Sequence, residues 1–239
     1  MGLLNGKNIL IVGGSSGIGL ALTKMLTSSK VNIYSASRNV PDVASDANIK
    51  HISVDVLELN TELNELPDTL HGLVYCPGTI NLKPFQSLNE KDFQNDFDLN
   101  VIGAVKVIQA CLGKLRNANG ASIILYSTAA VKTGMSYHAS IAAAKGALEG
   151  LGRSLAAELA SKNIRVNLIA PSLTDTPLAE NLLNTEGKRE TSDKRHPLGR
   201  IGKPEDIAKM TYFLLSEDSS WITGQVIGID GGISTLKPL

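Results

Sequence analysis

Short apolar runs alternate with stretches in which apolar residues recur every three or four positions, from one end of the chain to the other. Runs within Lys7–Val12, Asn32–Ser35, Lys50–Val54, Gly72–Tyr75, Ser122–Tyr126, Arg165–Ile169 and Val226–Ile229 have the length and branching of buried strands. Between them, Leu20, Ala21, Leu22, Met25 and Leu26 fall at helical spacing. Val101, Ala104, Val105, Ile108, Leu112 and Leu115 share one face of a long helix, and a second long helix is expected from about Ala139 to Ala160. Pro204-Glu205-Asp206 opens another, with proline and acids in the first turn where they are favoured. Strands alternating with helices predict an α/β fold: one doubly wound parallel sheet with helices on both faces, spanning residues 1–239 as a single domain. The polar segment 172–202 reads as a solvated loop with a short helix. It lies where loops beyond strand ends hold ligands, so it is also a candidate substrate lid.

The first strand runs into Gly13-Gly14-Ser15-Ser16-Gly17-Ile18-Gly19 and then into the first helix. Glycine lets the backbone turn tightly and approach a pyrophosphate without a Cβ in the way, and the helix then directs free N–H groups at the phosphates. A glycine cluster alone also suits an ordinary turn, so the rest of the chain has to decide. Together with the sheet, this is the pattern of a Rossmann-type dinucleotide fold.

The chain has 239 residues, 43% of them hydrophobic, enough for a sizeable core. Its 23 basic and 23 acidic residues balance, so no global field draws nucleic acid or an anionic membrane. No apolar run has the length of a bilayer span or of a secretory leader. Cys76 and Cys111 have no metal-ligand spacing and imply no disulfide framework, so no metal is expected and a reducing, cytoplasmic setting is.

These residues resemble the classical short-chain dehydrogenase/reductase family over essentially the whole chain. Gly13, Gly17 and Gly19 match its glycine turn, Asp55 its adenine-contacting acid, Asn100 its helix asparagine and Lys145 its catalytic-helix lysine. Asn167, Pro171 and Thr176 match the strand and loop that close over the nicotinamide. Arg200-Ile201-Gly202-Lys203-Pro204-Glu205-Asp206, Ile222-Thr223-Gly224-Gln225 and Asp230-Gly231-Gly232 match its C-terminal signature. The resemblance implies a dinucleotide held by Gly13, Ser15, Ser16, Gly17, Ile18, Gly19, Ser37, Arg38, Asp55 and Val56, then by Cys76, Pro77, Gly78, Asn100, Lys145, Pro171 and Thr176. It also implies a small carbonyl or alcohol substrate, and a homodimer or homotetramer built on the helices bearing Asn100 and Lys145. Ala142, Gly146 and Gly150 on the latter form a stripe of small residues that suits either such an interface or packing within the subunit.

A carboxylate about 20 residues beyond the glycine turn would bind a ribose 2′-hydroxyl and repel a 2′-phosphate. Here the second strand ends Ser35-Ala36-Ser37-Arg38, without that acid. Arg38 can pair with a phosphate and Ser37 can donate to it, which favours NADP over NAD. Ser16 stands where many NADP-preferring relatives carry a basic residue.

In the family, a tyrosine four residues before the lysine exchanges the substrate proton, and a serine thirteen residues before that tyrosine polarises the carbonyl. Here Ile141 and Thr128 hold these places. Threonine can still donate a hydrogen bond; isoleucine can exchange no proton. Val12 replaces a threonine, Cys76-Pro77 an Asn-Ala pair, and Ser172 the glycine after Pro171. His138 and Tyr137 are the nearby candidates for the lost donor. On a continuous helix His138 shares a face with Ile141 and Lys145, about one turn from the customary position. A helix-entry residue with no chemistry is the other reading of His138. Catalysis is therefore expected from Lys145, Asn100 and Thr128, with His138 as candidate acid. The alternative is a catalytically impaired dinucleotide-binding sensor or partner subunit.

Overall fold

The computed structural model describes residues 4–58 and 63–237. Strands β1 (Asn8–Val12), β2 (Asn32–Ser37), β3 (Ile49–Ser53), β4 (Gly72–Tyr75), β5 (Ala121–Tyr126), β6 (Ile164–Pro171) and β7 (Val226–Ile229) form one parallel sheet in the order β3-β2-β1-β4-β5-β6-β7. The order reverses between β1 and β4, and a crevice opens beyond the carboxyl ends of strands at such a point.

The helices are α1 (Gly17–Thr27), α2 (Glu90–Phe97), α3 (Gly103–Asn117), α4 (Ala129–Thr133), α5 (Ala139–Leu159), α6 (Glu180–Leu183), α7 (Glu186–Lys194) and α8 (Pro204–Leu215). Alternate residues of β1 feed the two cores. Ile9 and Ile11 pack with Leu22 and Leu26 of α1 and Ile207 and Leu214 of α8. Leu10 and Val12 join the opposite core, with Ala104, Val107, Ile108 and Cys111 of α3 and Leu148 of α5. Each fully buried leucine or isoleucine contributes roughly 1.5–3 kcal/mol. Gly152 lets α5 press onto β6, since a Cβ there would stand 2.5 Å from a Leu168 methyl.

Three expectations need correction. On α3 the buried stripe is Ala104, Val107, Ile108, Cys111 and Leu115, while Val101, Val105 and Leu112 are only half buried. The reason lies just upstream, where Asp98–Ile102 forms a π turn, so Val101 falls outside the regular α-helical phase. Segment 172–202 is largely helical rather than loop: Pro177 starts a 3₁₀ turn, α6 follows, and Thr185 caps α7 by accepting the Lys188 N–H at 3.3 Å. Strand β6 runs past Ile169 and takes Pro171 as its last residue. Among the described residues no helix is long and apolar enough to cross a membrane.

Candidate active site

A cleft of about 1470 Å³ lies beyond the ends of β1, β2, β4, β5 and β6, with α6 and α7 along one bank. Its floor starts at the glycine turn, where Gly13 and Gly17 have positive φ (80° and 51°). A Cβ on Gly13 would stand 3.2 Å from the Cys76 Cβ, and one on Gly19 would collide with the Gly13 carbonyl oxygen. Ser16 caps α1 in an extended conformation without a side-chain hydrogen bond to the helix, and the first turn holds no acid. The amino end of α1 therefore presents free N–H groups and the positive end of its dipole to the cleft, as an anion requires. This glycine cradle fits a dinucleotide pyrophosphate.

At the β2 end, Ser37, Arg38, Asp55 and Val56 line the cleft. The Ser37 hydroxyl donates to the Asn39 carbonyl at 2.8 Å, so its hydrogen is engaged within the loop and is not free for a phosphate as expected. Arg38 is exposed and pairs with no acid among the described residues. The Asp55 carboxylate accepts the Leu57 N–H at 3.0 Å.

Lys145 lies on the inward face of α5, and its Nζ donates to the Tyr126 carbonyl at 2.8 Å. Burial pushes its pKa down to about 8, against smaller upward pulls from Cys76 and Asp96. Cys76 and Gly78 line the cleft nearby; burial drives the Cys76 thiol up to about 12, which keeps it protonated. The Tyr126 phenol meets the Thr211 hydroxyl of α8 at 2.7 Å and also the Cys76 thiol. Thr128 caps α4, and its Oγ1 accepts the Ala130 N–H at 3.3 Å, leaving its own hydrogen for another acceptor. Ile141, Pro171 and Thr176 complete this end.

Asn100 is fully buried in the π turn and does not itself line the cleft. Its Nδ2 donates to the Asp96 carbonyl (2.7 Å) and to Thr79 Oγ1 (3.1 Å), while its Oδ1 has no hydrogen-bond partner among the described residues. A Cβ on Gly78 would stand 3.4 Å from that oxygen and 3.5 Å from the Lys145 Nζ, so the buried amide and the cleft-lining ammonium both approach Gly78. The π turn also lets the Leu99 carbonyl accept the Tyr75 phenol at 2.6 Å. Sequence reasoning missed the cluster beneath, where the buried Asp96 carboxylate accepts Thr79 (2.5 Å) and Ser140 (2.6 Å). Its signal was the placing of Asp96 one helical turn before Asn100.

The two candidate donors fare differently from the expectation of a continuous helix. His138 is the N-cap of α5, half buried on the cleft, with Nδ1 2.7 Å from the Ser136 carbonyl. Tyr137 has φ 69° and is 60% exposed, so it leaves the helix face that Ile141 and Lys145 share. On the α7 bank Arg189 grips the Asp175 carboxylate at 2.8 and 3.2 Å, which holds that carboxyl below the usual range.

Residues 13–234 match the family described as enoyl-(acyl carrier protein) reductase. The chain is 33% identical to the 3-oxoacyl-(acyl-carrier-protein) reductase FabG of Thermotoga maritima, covering 96% of this chain and 98% of that protein. It is 32% identical to a tropinone reductase homolog of Arabidopsis thaliana, At5g06060, over 97% and 93% of the two chains. Among solved structures it resembles the RhlG/NADP active-site complex of Pseudomonas aeruginosa with a TM-score of 0.89 and 28% identity, over 97% and 98%.

Proposed function

Because the chain belongs to the classical short-chain dehydrogenase/reductase family of oxidoreductases, we propose that it interconverts a small carbonyl compound and its alcohol with NADP(H), in preference to NAD(H). The observation that carries this reading is one continuous cleft lined by a glycine cradle and by Lys145 and Thr128. Arg38 at the β2 end, unopposed by an acid on that strand end, supports the phosphorylated cofactor. The structural neighbour RhlG, an NADP complex, supports the same choice.

In this reading Gly13 to Gly19 and the amino end of α1 hold the pyrophosphate, and Arg38 takes the 2′-phosphate. Asp55 and Val56 border the adenine, Cys76, Pro77 and Gly78 floor the middle of the cleft, and Pro171 and Thr176 close over the nicotinamide. The Lys145 ammonium holds the ribose, and Asn100 offers its unpartnered Oδ1 toward that end. Bound in its reduced form, the cofactor supplies the hydride. Thr128 donates its free hydrogen to the substrate carbonyl oxygen, which draws charge onto that oxygen. Ile141 lends no proton, so the acid is atypical; His138 borders the cleft, its Nδ1 2.7 Å from the Ser136 carbonyl.

The open space beside Gly150 on the outer face of α5 supports a homodimer or homotetramer. Free Cys76 and Cys111 accord with a cytoplasmic setting. The test is NADPH oxidation by the purified chain over a panel of small ketones, aldehydes and 3-oxoacyl thioesters; carbonyl-dependent turnover lost in Lys145→Ala is expected. Saturable dinucleotide binding with no turnover across the panel would instead favour the second reading, a non-catalytic sensor or partner subunit, whose support is Ile141 in the donor's place.

A further inference from the structure

Ser172 is the first residue beyond β6; it lines the cleft, and its hydroxyl meets a buried imidazole. Tyr126 pairs with Ile169 across β5 and β6, so Thr128 and Ser172 follow the ends of adjacent strands, both on the cleft wall. His196 is 3% exposed and does not line the cleft itself. Its Nδ1 lies 2.7 Å from the Ser192 carbonyl oxygen and its Nε2 lies 2.9 Å from Ser172 Oγ.

The partners fix the protons. A carbonyl oxygen only accepts, so Nδ1 carries a hydrogen. In the neutral ring Nε2 is then the acceptor and the Ser172 hydroxyl donates to it. In the cationic ring Nε2–H donates to Ser172 Oγ, and the serine hydrogen is released toward the cleft. The pair thus has two states that differ by one proton, with Ser172 on the cleft wall that Thr128 also lines.

We propose that Ser172 and His196 form the proton relay that serves the substrate oxygen in place of the absent tyrosine. The relay rests on the reductase reading of the cleft. As the carbonyl carbon gains hydride from the reduced dinucleotide, the Ser172 O–H bond breaks and the hydrogen joins the substrate oxygen. The Nε2–H bond of His196 breaks in the same movement and restores the serine hydroxyl. The net proton comes from the imidazolium, which recovers one from water through Ser172 when the cleft is open. Ser172 touches substrate; His196 acts through it.

The charged groups around the ring are otherwise engaged. Asp193 accepts the Ile201 N–H at 2.7 Å, Asp230 accepts the Gly232 N–H and the Ser234 hydroxyl, and Lys194 pairs with Glu190 at 3.7 Å. Arg195 lines the cleft, as do Lys145 and Lys188.

The test compares Ser172→Ala and His196→Gln with the unmodified chain. General acid catalysis is worth roughly 10²–10⁴-fold, so kcat for carbonyl reduction falls at least about 100-fold in each. The dinucleotide Kd moves less than about threefold. Nitrogen-15 spectra of the four histidines give a readout without turnover: His196 holds its neutral hydrogen on Nδ1, and Ser172→Ala shifts its Nε2 signal. A neutral hydrogen on Nε2, or both variants keeping kcat within threefold while the unmodified chain turns over, overturns the relay alone. Dinucleotide binding without any turnover removes the reductase reading and the relay with it.

Discussion

At the Gly13–Gly19 end of the cleft the recognition surface is backbone, whereas at the end bounded by Thr128, Ile141 and Ser172 it is side chain. The first end depends on what is missing: no Cβ on Gly13 or Gly19, no capping side chain on α1, no acid at the Ser37-Arg38 end of β2. Such a surface tolerates no addition and needs no partner from elsewhere in the chain. The second end depends on hydroxyls, an ammonium and an imidazole brought from β5, α5, β6 and the loop after α7. There, on the proposed reading, the duty of the exchanged residue passes to Ser172 and His196. This difference explains how a binding cradle can persist beside an altered donor.

The largest effect is expected at the cradle. Gly19→Ala forces a Cβ into the Gly13 carbonyl, and overpacking of this kind costs up to about 3 kcal/mol. A fall in melting temperature together with loss of dinucleotide binding is expected; a melting temperature unchanged by the alanine would break the backbone account of that end.

Next comes Lys145→Met, which removes a charge-assisted contact worth about 1.5–3 kcal/mol, so dinucleotide affinity falls by roughly 10- to 100-fold. The same residue sets a pH dependence. Between about 8 and the ordinary lysine value of 10.5, the unfolded chain holds a proton here that the folded chain does not. Stability therefore rises with pH in that window through this group, while the cation the ligand needs is lost. Calorimetric titrations should show affinity falling as pH rises through about 8, and Lys145→Met should abolish that slope.

Arg38→Ala sharpens the comparison from the adenosine side. Loss of one phosphate-pairing cation costs NADPH binding roughly tenfold and leaves NADH nearly untouched, read from the ratio of the two Kd values. The smallest effect belongs to Ile141→Tyr. If Ser172 and His196 already supply the proton, the restored phenol changes kcat by less than about tenfold, whereas a missing acid would return roughly 10²–10⁴-fold.

The same contrast governs what the sequence disclosed. The β1–turn–α1 unit was legible because its signals are contiguous: an apolar run, spaced glycines, then apolar positions at helical intervals. Strands β4 and β7 fall where their patterns put them, and Pro204 opens α8 as its chemistry predicts. The phase of α3 was not legible, because a π turn leaves no mark in hydropathy. Helices α6 and α7 were obscured by their polarity, although Pro177 and Thr185 carried ordinary start signals. The left-handed backbone at Tyr137, which takes that ring off the helix, is a tertiary choice for a residue that seldom adopts it. The Ser172–His196 pair lies 24 positions apart in sequence and needed the fold to bring it together.

Calorimetric titration of the purified chain with NADPH and with NADH tests the central claim most directly. A single saturable site, tighter for NADPH and weakened in Lys145→Met, is the predicted result. Absence of binding by either dinucleotide would contradict the account.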